Sequence, residues 1–466
     1  MKTALLTALF SVLQAAAFVS LAQAADDPGN EDEIQLLREE IEHIRTEYEN
    51  RIAELERRLD AAEEGENQAV QDAPAAETQP EYAAVPAAPP SVTTTTSSGR
   101  DNSFNPAMGV VFLGQAWSYG NDPDAYYIPG FPLGGEAGLA PEGLSLAESE
   151  IVMSANLDDK FTAILTTAIA VEDGETFVEL EEAWVETTAL PAGFALRMGR
   201  FFADVGYLNT KHAHSWDFAD QPLVYQAFLG VQYIDDGLQM RWLAPTDFYF
   251  ELGGEVLRGD SYPAGGAARS GVGSATLTAK TGGDIGISNS WLFGLSWLSA
   301  DAEDRASGYE DEPLLFTGDA DMYIADFVWK WAPFGNSRER NFKFQAEYLW
   351  RNEDGNYLLP SGADEPWNED QQGWYAQAIY QPFAQWRVGV RYDSLSGGSS
   401  DLAFVDTPLY YLGPDPKRYS MMVDWSNSEF SRLRFQYEHD QSGTEDDNQF
   451  ALQYIFSIGA HGAHSF

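Results

Sequence analysis

The sequence contains no cysteine among its 466 residues, which excludes a disulfide framework and any thiolate metal site. It is poor in basic side chains: 27 Lys and Arg stand against 73 Asp and Glu, a formal charge of −46. A nucleic-acid partner is therefore not expected. Past residue 24 there is no run of 18 apolar residues, which excludes a transmembrane helix. Yet aromatic residues make up 13% of a chain whose mean hydropathy is only −0.32. That combination suits a protein that crosses a membrane in strands, because only alternate residues then meet lipid.

The first hundred residues divide into three segments. Residues 1–24 carry Lys2, an apolar stretch from Ala4 through Leu21 and then Ala22-Gln23-Ala24, the form of a secretory signal peptide. Residues 25–64 are expected to hold a coiled-coil helix. Ile34, Leu37, Ile41, Ile44 and Tyr48 follow 3-4 spacing, and Ile52, Leu55 and Leu59 resume it after a stutter. Association of two or three copies would bury this narrow seam, and a solitary charged helix lying on another protein is the alternative. Residues 65–103, rich in Pro, Ala and Thr, read as an extended tether.

From residue 104 to residue 466 the pattern changes to alternation. On the last segment Phe450, Leu452, Tyr454, Phe456 and Ile458 occupy every second position, with Gln453, Ser457 and Gly459 between them and Ile455 as an apolar exception. Sixteen such segments are predicted as strands: 107–119, 147–157, 161–171, 176–188, 194–202, 237–243, 248–257, 272–281, 290–300, 320–331, 341–351, 371–380, 386–393, 417–425, 429–438 and 448–460. Short links alternate with long polar ones, among which are 203–236, 301–319, 352–370 and 394–416; only the link near 172–175 breaks the rule. This is the spacing of periplasmic turns and extracellular loops. The fold expected is all-β, a transmembrane antiparallel β-barrel closed by pairing the last strand with the first.

One face of each strand is apolar, as in the row Phe342, Phe344, Ala346, Tyr348 and Trp350. The other is polar or charged: Arg197, Arg241, Lys343, Arg387, Arg391, Arg432 and Arg434, with Gln345, Glu347, Arg351 and Glu438. Each charge would cost about 2–4 kcal/mol if it faced lipid near the midplane, so these residues are assigned to a hydrated lumen. There they either set up a field that selects solutes or pair with carboxylates to hold the wall. The acidic excess then falls on loops and on inward Glu148, Glu150, Glu179, Glu181, Glu251 and Glu255, where it could favour cations or simply reflect surface adaptation to a saline habitat.

The link 203–236 is the constriction candidate. It mixes Asp204, Lys211, His212, His214, Asp217 and Asp220 with Tyr207, Trp216, Phe218 and Tyr225, and so many aromatics predict folding against the inner wall. His212 and His214 are open to three readings: packing, solute contact or a transition-metal site. No separated Ser/His pair shares a face, so no enzyme activity and no cofactor is expected.

The stretch Gly199-Arg200-Phe201 to His212-x-His214-x-Trp216-x-Phe218-x-Asp220-x-Pro222-Leu223 is similar to the corresponding region of phosphate-selective porins and of LbtU-like siderophore porins. The coiled coil ahead of the barrel and the Phe104-Asn105-Pro106 entry resemble the latter more. The chain lacks the lysine-rich lumen of the phosphate type. An aromatic residue at the end, Phe466, also resembles the assembly signal of outer-membrane barrels. The resemblance implies a bacterial outer-membrane porin without an energy-coupled plug, passing a small hydrophilic solute such as a ferric siderophore. Its surroundings would be outer-membrane lipid and lipopolysaccharide. The N-terminal helix would lie in the periplasm, within reach of peptidoglycan, and join homo-oligomers, with three copies expected from porin precedent.

Overall fold

The computed structural model describes residues 106–459 except 173–174, 267–270 and 309–312. The signal peptide, coiled coil, tether and residues Phe104, Asn105 and Phe466 lie outside the described residues.

The described chain is a single antiparallel sheet closed on itself. Its strands are β1 (Ala107–Ser118), β2 (Gly143–Leu146 and Ser149–Asn156), β3 (Phe161–Glu172), β4 (Glu175–Thr187), β5 (Phe194–Phe202), β6 (Ile234–Leu243), β7 (Tyr249–Leu257) and β8 (Ser274–Ile285). Then follow β9 (Asn289–Gly308), β10 (Pro313–Trp331), β11 (Asn341–Leu358), β12 (Asp364–Phe383), β13 (Trp386–Ser396), β14 (Lys417–Ser428), β15 (Ser431–Gln441) and β16 (Asp447–Gly459). Both halves of β2 pair with β1, so they form one stave interrupted at 147–148 and the barrel has sixteen. Closure is by β1 against β16, in register from Gly109↔Gly459 to Ser118↔Phe450. It removes the free edges that hydrocarbon would not tolerate.

Period-two alternation decides which way each side chain points. On β16 Phe450, Leu452, Tyr454 and Ile458 are exposed on the outside, while Gln449, Ala451, Gln453 and Ile455 are buried inside. The same parity puts Phe342, Phe344, Ala346, Tyr348 and Trp350 on the outside of β11. Two aromatic girdles bound the lipid-facing band on β9–β11. Trp297, Tyr323 and Trp350 are cross-strand neighbours at one edge, and Trp291, Trp329 and Phe344 at the other. Trp291 and Trp297 are six positions apart, about 20 Å of strand; aromatic rings at both edges suit the two membrane interfaces.

Two expected loops are strand instead. Residues 301–319 and 352–370, read as long polar links, continue β9–β12 to lengths of 18–20 residues, and among the described residues of these links only 359–363 are not strand. A membrane needs about 9–11 residues per strand, so these four stand well clear of it. Beyond the girdle the outward row becomes Ser299 and Asp301 on β9, Asp321 and Asp319 on β10, and Asn352 and Asp354 on β11. Loss of apolar residues marked the end of the membrane, not the end of hydrogen-bonded pairing. Inside this extension Leu314, Phe316, Tyr357 and Trp367 pack against Phe404 and Leu409 of the 397–416 loop.

Candidate functional site

The residues linking β5 to β6, 203–233, lie inside the barrel. Asn209 ties the two ends of this loop together: its side-chain amide donates to the carbonyls of Ala203 (2.8 Å) and Tyr233 (3.0 Å), and its Oδ1 accepts from the Tyr233 amide. The loop contains one α-helix, α1 (Leu223–Leu229), every residue of which is buried. Seven residues are too few for a helix to hold in water. An apolar surface on all sides can be satisfied only by enclosure, here among Phe131, Phe201, Leu298, Ile324, Leu349, Tyr375 and Leu395. Gly230, left-handed at φ 62°, ends the helix with its amide bonded to Tyr225 O.

Polar contacts then fasten the loop around the wall. Glu347 of β11, 2% exposed, accepts from the amides of Tyr207 (2.9 Å) and Leu208 (3.1 Å) and from the hydroxyls of Tyr225 (2.8 Å) and Tyr375 (2.5 Å). Asp204 pairs with Lys280 of β8. Asp217 receives Lys343 (2.5 Å) and Arg387 (3.0 Å), and Asp220 receives Arg391 and Arg418, each at 2.7 Å. Burial by itself would raise the carboxyl pKa values of Asp217 and Asp220, but these cations outweigh it and hold both below the ordinary range. Arg432 and Arg434 of β15 donate to the carbonyls of His214 (2.6 Å) and Trp216 (2.8 Å). Trp216 Nε1 donates to Lys211 O at 2.6 Å, and Lys211 lies 5.0 Å from the centre of the Tyr207 ring. Burial first, then Lys280 and Lys343, push Lys211 down to about 8.

The seven inward cations expected from strand parity all face the lumen side, in two kinds of setting. Arg197, Arg241, Lys343, Arg387 and Arg432 keep 19–25% of their side-chain surface. Arg391 and Arg434 keep 1% and 0%, enclosed by Asp220, Asp393 and Asp424. The latter two clamp the loop and meet little water. Arg197 and Arg241 share Glu186 at 2.9 and 2.7 Å.

On the β2–β4 side the loop is held by its histidines. His214 Nδ1 is 2.6 Å from Glu150 Oε1, and His212 Nε2 is 3.0 Å from Glu182 Oε2. His212 Nδ1 is 3.4 Å from both Glu150 and Glu181. Burial disfavours the imidazolium, but Glu181, Glu182 and Glu150 outweigh it and raise the His212 pKa well above its usual value. Consecutive residues such as Glu181 and Glu182 ordinarily point to opposite faces of a strand. Here the pairing slips at that point, Thr166↔Glu182 being followed by Thr167↔Leu180, and the bulge turns both carboxylates inward. Neither the bulge nor the cradle on Glu347 and Asn209 has a signal in the period of the sequence.

Cavities remain on both sides of the loop. One, about 1070 Å³, lies along β1–β4 and β14–β16; its wall includes Glu136, Glu148, Glu179, Asp220, Asp236 and Glu438, with Arg200 and Arg418 as its only basic residues among the described ones. A second of about 310 Å³ mixes Arg197, Arg241, Lys211 and Lys280 with Glu182, Asp204, Glu251 and Asp326. A third of about 650 Å³, at the short-turn end, has Lys330, Lys343 and Arg387 with Asp217 and Asp284.

No family model matches the chain. Solved barrels resemble it in outline. They include OmpT of Vibrio cholerae in its trimer form (8% identity, TM-score 0.46, 76% of this chain and 99% of that one) and the DcaP channel of Acinetobacter baumannii (11%, 0.47, 76% and 97%). An anion-selective porin from Comamonas acidovorans is similar at 10% identity and TM-score 0.43, over 76% of this chain and 98% of that one. In sequence, an uncharacterized protein of Aquifex aeolicus (strain VF5) is 33% identical over 341 residues, 70% of each chain. The closed barrel with its apolar outer band is that of an outer-membrane protein, and the chain belongs to one family with this Aquifex protein.

Proposed function

We propose that the protein is an outer-membrane channel for the facilitated diffusion of small hydrophilic solutes, with the 203–233 loop as its selective element. One observation carries this: a loop whose acidic groups meet basic groups of the wall, flanked by cavities with charged walls on either side. An inert anchor has no need of charged chambers, which cost folding stability unless water or solute uses them. The carboxylate excess of the 1070 Å³ chamber favours cationic or zwitterionic solutes. Among ferric siderophores it favours those without net negative charge. Residues 25–64 would hold copies together on the periplasmic side, three being the number we favour, and reach toward peptidoglycan. The site has no catalytic residue in this reading.

The full enclosure of α1 favours a second reading, a structural or adhesive protein whose barrel is a filled anchor. Refolded full-length protein in planar bilayers, together with liposome swelling in salts, sugars and ferric chelates, separates the two. Stepwise conductance with cation preference is expected. A silent bilayer with no solute flux would establish the anchor.

A further inference from the structure

The two histidines of the loop are surrounded by carboxylates in an arrangement that hydrogen bonding alone does not explain. Ligand atoms of Glu150 on β2, Glu181 on the β4 bulge and His212 on the loop all lie within 4.8 Å of one another. His212 Nδ1 stands 3.4 Å from a carboxylate oxygen of each glutamate, and Nδ1 is buried and makes no hydrogen bond. Glu181 is 3% exposed, and the oxygen it turns toward His212 is likewise buried without a hydrogen bond. Ligands bound at about 2.0–2.2 Å around a tetrahedral divalent ion are separated by roughly 3.4 Å, so these contacts have the length of edges of a coordination polyhedron.

The surroundings orient the ligand atoms as an outer shell does. His212 Nε2 faces Glu182 at 3.0 Å; if it donates there, Nδ1 is left with its lone pair directed at Glu150 and Glu181. Glu182 is itself fixed by Trp184 Nε1 (2.8 Å) and Thr166 Oγ1 (3.2 Å). Glu150 is steadied through its other oxygen by His214 at 2.6 Å. A plain ion pair would need only one of Glu181 and Glu182; the bulge that brings both inward supplies one ligand and one orienting group.

We infer that Glu150, Glu181 and His212 form a binding site for a divalent transition-metal ion, oriented by Glu182 and His214. One nitrogen and two carboxylate oxygens suit Zn²⁺, Co²⁺ or Fe²⁺ better than Ca²⁺, which takes oxygen ligands. The ion replaces the proton on His212 and fastens the loop across the lumen to β2 and β4. The site stands between two chambers, since Glu148, Glu179 and Trp216 beside it line the 1070 Å³ cavity and Glu182 and Lys211 the second. It is independent of which solute the barrel passes, or of whether it passes any.

Refolded full-length protein, freed of metal with a chelator and checked for folding by heat-modifiable gel mobility, should bind one equivalent of Co²⁺ with visible d–d absorption, and Zn²⁺ should displace it. Glu181→Gln, which keeps shape and burial, should weaken Co²⁺ binding at least tenfold, and His212→Gln should abolish the absorption. Hydrogen exchange of residues 210–216 should slow when Zn²⁺ is added to wild type and not to His212→Gln. The proposal fails if folded wild type shows no Co²⁺ absorption, or if binding is the same in Glu181→Gln. The second result would place the ion elsewhere, whether or not His212→Gln folds.

Discussion

Asp220 joins three strands through one carboxylate, accepting from Arg391 of β13, Arg418 of β14 and Gln436 of β15. Arg418 is wholly buried and Arg391 nearly so. Removing the negative charge leaves two buried guanidinium groups short of a partner, the expensive way to break an ion pair. Asp220→Asn should therefore cost about 3 kcal/mol in urea unfolding of the refolded barrel, reduced by what Asp393 and Asp440 retain. Because the folded pKa values of Asp217 and Asp220 are depressed, their stabilisation is fully present above the unfolded value near 3.9. It is lost only as pH falls through the lower folded values. Exchange protection of residues 217–220 should stay flat from neutral pH to about 5 and decline below 4; loss between pH 7 and 5 would show that these pairs do not hold that part of the loop. At this scale the sequence disclosed which strand residues face inward, since parity places Arg391, Arg434 and Glu347 without ambiguity. It did not disclose their partners, because those come from a loop with no period.

The loop and α1 can approach the wall only where the wall gives way. Gly373 of β12 does so: a Cβ there would stand 3.1 Å from Val224 Cβ and 2.5 Å from Leu395 Cδ2. Gly373→Val should displace α1 at a cost of about 1–3 kcal/mol. The channel reading adds a specific outcome, larger single-channel conductance with weaker cation preference, because the helix enclosed in the lumen is pushed from its seat. Unchanged conductance alongside lowered stability would remove α1 from the path. The aromatic content of 203–236 correctly implied a segment folded within the barrel, since Trp216, Phe218 and Tyr225 are buried. Its helix has no signal in the sequence because seven residues offer too few turns for a 3.6-residue period to appear. The links 301–319 and 352–370 failed for the converse reason. Polarity there does not end a strand, because pairing in water needs no apolar outer face.

Taken whole, the barrel is a sheet whose position in the bilayer is written on its outer surface. The strand count, the closure of β1 on β16 and the polar interior follow from period-two alternation alone, whereas the height of the wall does not. On β9 the outward row runs Trp291, Phe293, Leu295 and Trp297 and then turns to Ser299 and Asp301. Leu295 is 51% exposed and lies between the two girdles. If the membrane stops at Trp297, an arginine at Leu295 must be buried in hydrocarbon, and one six residues further on stands in water. Leu295→Arg should lower unfolding stability in lipid vesicles by about 2–4 kcal/mol. Asp301→Arg should change it by less than about 0.5 kcal/mol, its new charge lying among Asp319 and Asp321 of the neighbouring strand. Equal costs at both sites would mean that lipid covers the extension as well, and the 18–20-residue strands would then lie in the membrane at a much steeper tilt.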